Sequence, residues 1–274
     1  MEKILNLKPV RWLRRILAWL KPMNIPLHGA YTSFYLVLSI FPIMVILFGL
    51  LGYTSFGVEE VMALVAGVLP DAFEPLAQRI ISGAYEHTSG TVLSVSVLTA
   101  LWSASRSMRG LLLGLNAVYG LEENRNYFVT RGISMLYTFL FLIVLVLTMV
   151  LHVFGTTILD YLRMTTNPVL MFLMDVIDLR FVLLLALQTA LFTTMYVALP
   201  NRRNSLKESL PGALLTSAGW LTFSDLFSIY VEYFPNYANI FGSVYAAALA
   251  MLWLYFCICI VFYGGALNRY LMER

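Results

Sequence analysis

Long apolar runs recur along this sequence, and they decide what the chain can fold into. Several are about 20 residues or longer, which is the length that an α-helix needs to cross a bilayer. Hydrophobic residues make up 60% of the 274 residues and charged residues only 12%, whereas soluble domains average about 25% charged. The sequence therefore predicts an all-α, polytopic membrane protein. We expect six transmembrane helices, at about 28–53, 91–119, 132–157, 179–199, 210–233 and 241–268.

The six predicted spans form one transmembrane domain at 27–268, between an N-terminal segment at 1–26 and a tail at 269–274. Residues 8–21 predict an amphipathic helix, with leucines and isoleucine on one side and arginines on the other. Such a helix suits an anionic membrane surface, and the alternative is packing on the protein's own cytoplasmic face. Residues 56–89 carry several acids and predict short helices on the outer surface.

The distribution of basic residues predicts the orientation. An even number of spans puts both termini on one side, and the other side carries only Arg79, Arg163 and Arg180. By the positive-inside rule both termini are expected in the cytoplasm. No cleavable signal peptide is predicted, because the first long apolar run begins near His28. The side with the termini takes Lys3, Lys8, Arg11, Arg14, Arg15, Lys21, Arg125, Arg131, Arg202, Arg203, Lys207, Arg269 and Arg274.

The second predicted span contains two arginines, Arg106 and Arg109. Residues three apart share one face of a helix, so both guanidiniums should point the same way. A guanidinium stays charged at ordinary pH and is costly in hydrocarbon, so it must face a cavity, pair with acids or reach an interface. The sequence leaves open whether these two line a cavity or snorkel to the cytoplasmic boundary.

The fifth predicted span contains an acid, Asp225, whose obvious partner is Arg106 or Arg109. Counted along the helices, the acid and the arginines lie at different depths. Direct pairing therefore requires a tilted or broken second helix, and otherwise the groups would line one wet cavity. A structural hydrogen bond from Asp225 to a neighbouring hydroxyl is the alternative.

Other polar side chains in the spans complete the hypothetical substrate path. Pro42 removes a backbone hydrogen bond within the first span and predicts a helix break there. The candidate path-lining residues are Tyr31, Tyr35, Asn116 and Tyr119.

Enzyme chemistry finds no support in the sequence. His28, His87 and His152 are scattered and fit no metal-ligand spacing. Cys257 and Cys259 lie inside an apolar run and are interpreted as packing residues. There is no phosphate-binding loop and no nucleophile elbow. We expect no metal, no cofactor and no nucleic-acid partner.

Several motifs, taken together and in order, resemble the YihY/BrkB family of bacterial inner-membrane proteins, once labelled ribonuclease BN-like. The resemblance covers about residues 27–268. The residues that carry it are AYTSFYLVLSIFP at 30–42, LWSASRSMRGLLLGLNAVYG at 101–120, LPNRRNSLKESLPGAL at 199–214, and FGSVYAAALAMLWLY and GGALN in the last span.

The resemblance implies a bacterial plasma membrane, a transporter-like role and a link with envelope lipids. Two positions depart from the family pattern. Phe241 stands where the family often has Tyr before Gly-Ser, and Ala266 stands where it often has an acid. If that acid contributes to the family's mechanism, this chain works without it.

The leading functional hypothesis is a transporter or flippase-like protein for an amphiphilic anion, most plausibly a lipid or lipid-linked molecule of the envelope. The two arginines would attract the anionic head group, and Asp225 would hold them in the empty state or carry a coupling proton. The alternative is a non-transporting membrane scaffold for envelope-biogenesis proteins. A ribonuclease is the least favoured hypothesis.

Overall fold

The computed structural model describes residues 8–51, 90–126, 179–202, 204–233 and 236–274, with short stretches between 59 and 83 and between 128 and 140. Most of the predicted outer-surface segment at 56–89 and of the third span at 132–157 lies outside the described residues, as do His87 and His152. The described residues form helices and no strand. The predicted all-α class is confirmed for this part of the chain.

The described helices follow the apolar runs of the sequence. In chain order they are α1 at Lys8–Leu20, α2 at Ile25–Leu51, α3 at Gly90–Tyr119, α4 at Leu179–Ala198, α5 at Leu206–Tyr233 and α6 at Asn236–Met272. Among the described residues, Phe181–Ala198 in α4 and Ala247–Met272 in α6 are long and apolar enough to cross a membrane. A helix satisfies its own backbone hydrogen bonds, as a lipid environment requires. The total of six spans remains a prediction.

The prolines near the N-terminus separate α1 from α2. A short 3-10 helix at Lys21–Met23 contains Pro22, and Asn24 then adopts a left-handed conformation with φ of 46°. Pro26 lies in the first turn of α2, where a missing N–H costs little. The helix break predicted at Pro42 is not present, because α2 continues through Pro42 to Leu51.

Helix α6 is the centre of the described bundle. It packs against α2, α3 and α5; α2 also packs along α3, and α4 packs on α5. The buried core lies at the end where α3, α4 and α6 finish, and it contains Leu115, Leu199 and Phe262. The first half of α3 is instead exposed, with Leu98 69% accessible. A lipid environment would cover such an apolar surface.

Glycines set two of the helix crossings. A side chain on Gly212 of α5 would meet the carbonyl oxygen of Gly264 on α6. A Cβ on Gly110 of α3 would lie 2.6 Å from both the Thr32 hydroxyl and the Tyr31 ring of α2. Small residues of this kind let helix backbones approach closely in membranes.

Candidate functional site

Two of the predicted site residues, Arg106 and Arg109, lie on one side of α3, and aromatic side chains of α2 and α3 lie beside Arg106. The guanidinium carbon of Arg106 is 5.5 Å from the centre of the Trp102 ring, within the range of a cation–π contact. Trp102 meets the edge of Tyr35 with ring centres 5.9 Å apart, and Tyr35 lies 4.9 Å from Tyr31. We call these five residues the arginine–aromatic face.

The crossing of α2 and α3 brings the two tyrosines to this face. Tyr31 and Tyr35 are four residues apart and share one side of α2. The Ser107 hydroxyl donates to the backbone oxygen of Thr32 at 3.0 Å, and the absence of a side chain at Gly110 leaves room for the Tyr31 ring. These contacts fix the register of the two helices, so the face is built by packing and not by a flexible loop.

Among the described residues, neither the Arg106 nor the Arg109 guanidinium forms an ion pair with an acid. Arg109 is exposed and Arg106 is half-buried. Because a bare guanidinium is poorly tolerated in hydrocarbon, this face needs an anion, water or the lipid head groups as its partner.

Asp225 does not join the arginines. It is exposed on α5, which packs between α4 and α6, whereas the arginines lie on α3, which packs against α2 and α6. Helix α3 is also continuous from Gly90 to Tyr119, so the broken helix that was one way to bring the groups together is absent. The Arg–Asp contact considered from the sequence is therefore not formed in this structure.

Asn116 and Tyr119 lie nearer the end of α3 and are buried, 2% and 7% accessible. The Asn116 amide donates to Glu123 at 2.7 Å, and its oxygen accepts from the backbone N–H of Asn201, also at 2.7 Å. The Tyr119 hydroxyl is buried without a hydrogen-bond partner among the described residues. Asn116 therefore joins two chain segments, and neither residue belongs to the arginine–aromatic face.

Glu123, which accepts a hydrogen bond from Asn116, also forms an ion pair with Arg125 in the loop after α3. Arg125 binds Glu123 through its Nε and Nη2 atoms at 2.8 and 2.7 Å, and its Nη2 also donates to the backbone oxygen of Leu199 at 2.7 Å. The Arg125 guanidinium holds the pKa of the Glu123 carboxyl below its usual value. We call Asn116, Glu123, Arg125 and Asn201 the loop clamp, because they tie the end of α3 to the end of α4.

Sequence reasoning missed a second set of buried polar contacts close to this clamp. The fully buried Tyr196 hydroxyl donates to the oxygen of Val261 and contacts the Thr216 hydroxyl, each at 2.6 Å. Asn268 accepts from the Gly212 N–H at 2.6 Å and donates to the oxygen of Ser209 at 3.0 Å. The sequence did contain a signal for the Asn268 contacts: Ser209 and Gly212 belong to the family motif LPNRRNSLKESLPGAL, and Asn268 belongs to GGALN.

The C-terminal end of the N-terminal helix α1 contacts the rest of the protein. Its last turn packs on the protein, with Trp19 at 5.9 Å from Tyr270 and the Arg269 guanidinium at 5.7 Å from the Trp19 ring. Arg14 and Arg15 remain exposed. Helix α1 therefore contacts the protein through its last turn, and Arg14 and Arg15 are exposed on its surface.

Among the described residues, no group of three or more His, Cys, Asp or Glu side chains is placed to hold a metal ion. The cysteines at 257 and 259 are free and buried. The arginine–aromatic face is composed of guanidinium and aromatic groups, which as chemical classes suit anions and apolar surfaces.

Comparison with known proteins matches this chain to one family along most of its length. It is 29% identical over 246 residues to the ribonuclease-like protein YfkH of Bacillus subtilis (strain 168), covering 90% of each chain. It is 23% identical over 272 residues to a UPF0761 membrane protein of Vibrio vulnificus (strain YJ016), covering 97% of this chain and 83% of the relative.

A shorter match, 39% identical over 83 residues, joins it to a UPF0761 membrane protein of Azotobacter vinelandii and covers 30% of this chain and 20% of the relative. No solved structure is significantly similar to the chain. The family profile described as "Virulence factor BrkB" matches residues 19–274. This chain therefore belongs to the BrkB family of membrane proteins.

Proposed function

We propose that this protein is a membrane transporter or flippase-like protein for an amphiphilic anion, most simply an anionic lipid or lipid-linked molecule of the bacterial envelope. The observation that carries the proposal is the arginine–aromatic face. Arg106 and Arg109 offer two neighbouring guanidiniums that no acid among the described residues neutralises. Guanidiniums bind phosphate and carboxylate groups in a bidentate manner.

The aromatic residues beside the arginines fit the rest of such a substrate. Tyrosine and tryptophan rings tolerate both an apolar chain and a polar head group, which is why they collect at membrane interfaces. Tyr31 and Trp102 are 36% and 46% accessible. An amphiphile at this face would place its anion against the guanidiniums and its apolar part against the rings.

Movement of a labelled anionic lipid in proteoliposomes tests the proposal. Removing both guanidiniums in Arg106→Ala/Arg109→Ala should slow movement at least about tenfold, the effect of losing roughly 1.4 kcal/mol of binding. Arg14→Ala/Arg15→Ala is the matched control, because it removes two exposed arginines from α1 and leaves the face intact.

Equal rates for native protein and Arg106→Ala/Arg109→Ala would contradict transport by this face. The scaffold alternative predicts that result, together with water accessibility confined to the ends of the second and fifth spans. A scan with single cysteines in α3 and α5 measures that accessibility directly.

A further inference from the structure

The exposed half of α3 presents one continuous face that leads to the arginines. Val95, Leu98, Trp102, Arg106 and Arg109 follow one another in steps of three or four residues, which places them along one side of the helix. Val95, Leu98 and Trp102 are 57%, 69% and 46% accessible. The face is therefore apolar at one end and cationic at the other.

One cavity at the centre of the described helices is small. A cavity of about 20 Å³ lies among α2, α3, α4, α5 and α6, and a space of this size holds about one water molecule. Thr32 and Ser107 are its polar lining residues, and apolar side chains, including Met108, Phe192 and Trp220, form the rest. No guanidinium lines it, so an anionic head group would find neither space nor a counter-charge there.

We infer that the head group of an acyl-chain-bearing anionic lipid moves along this outer face of α3, while its chains stay in the bilayer. The inference rests on the proposed lipid-moving function and adds the route. Arg106 and Arg109 compensate the charge of the head group where hydrocarbon alone would make its passage costly. The substrate class is consequently a lipid with an anionic head group, and a free head group without chains is not moved.

Photo-crosslinking to lipid can locate the head group. Phe34 is 48% accessible and its ring lies 5.3 Å from Tyr35 on the arginine–aromatic face. Phe256 is 42% accessible on α6 and serves as an exposed control, and Phe192 is 2% accessible at the central cavity. Each phenylalanine is replaced in turn by benzoylphenylalanine in the full chain, reconstituted in equimolar phosphatidylglycerol and phosphatidylcholine.

The expected result is an excess of crosslinked phosphatidylglycerol over phosphatidylcholine of about threefold or more at Phe34 relative to Phe256, the size expected of exposed charge pairs. The excess should disappear when Arg106→Ala/Arg109→Ala is added. Little lipid should be captured at Phe192. Leu36, half-buried at the same cavity, is the second interior position if the Phe192 variant does not fold.

Two results would overturn the route. One is an equal lipid ratio at Phe34 and Phe256, and the other is capture of phosphatidylglycerol at the central positions. If lipid movement still depends on the arginines in either case, the proposed function stands and only the route is wrong. If movement does not depend on them, the proposed function fails as well.

Discussion

At the scale of single residues, Glu123 shows how a polar side chain joins two helix ends. Its carboxylate accepts from Asn116 on α3 and from Arg125, which also donates to the backbone oxygen of Leu199, the first residue after α4. The sequence placed Arg125 only among the basic residues on the side of the termini. The hydrogen bond from Arg125 to Leu199, 74 positions away, depends on the tertiary fold, because no local pattern specifies a contact at that separation.

Glu123→Gln should lower the free energy of unfolding by about 1–2 kcal/mol, since it removes a charged acceptor of several hydrogen bonds. The folded-state pKa of Glu123 is depressed from the ordinary value of 4.5. Its contribution is therefore fully present above that value and is lost as the pH falls through the lower, folded pKa. Thermal unfolding in detergent at a series of pH values measures the difference between the two proteins.

The neighbouring Glu122→Gln is the matched control, because the Glu122 side chain is exposed. It should leave the unfolding temperature close to that of the native protein. A Glu123→Gln variant as stable as Glu122→Gln at neutral pH would show that the loop clamp does not stabilise the bundle.

At the scale of helices, apolar periodicity and length predicted where the described helices would lie, but not how closely they approach. Gly212, Gly264 and Gly265 are small residues, a type that suits close helix packing in membranes. The structure adds that Gly212 and Gly264 face each other, with no space for a side chain between them. The pairing of the helices decides which small residues meet. The glycines along one helix do not specify that pairing.

Gly212→Ala should destabilise the protein by about 1–3 kcal/mol, because the new methyl group meets a backbone oxygen that cannot move aside cheaply. Gly219→Ala on the same helix should have a smaller effect, since its Cβ meets only the Ile260 Cγ2 atom, at 3.1 Å. Thermal unfolding of both variants makes the comparison. Equal stability of the two would mean that the crossing at Gly212 is looser than described.

At the scale of the whole molecule, the chain segments predicted to share one side of the membrane gather at one end of the bundle. Arg269 in α6 donates to the backbone oxygen of Val118 and stacks on Trp19 of α1. Arg125 reaches Leu199 at the same end. The basic residues of these segments lead us to propose that this end faces the cytoplasm.

Labelling with a membrane-impermeant maleimide tests this orientation. Arg274→Cys should react only after the cells are permeabilised, whereas Glu59→Cys, in the predicted outer segment, should react in intact cells. Both positions are exposed, and the native Cys257 and Cys259 are buried, so they contribute a low background. Labelling of Arg274→Cys in intact cells would reverse the proposed topology.

The sequence by itself determined the all-α class, the approximate extent of the described helices and the placement of Arg106 and Arg109 on one helical face. These features follow from local quantities, namely apolar length and the helical repeat. Only the tertiary structure showed that Asp225 lies apart from the arginines and that Asn116 belongs to the loop clamp. It also showed that Trp102 and the two tyrosines lie on the same face as Arg106. Those outcomes depend on which helices pack together, and pairing arises from shape and hydrogen bonding across long sequence separations, which local periodicity does not encode.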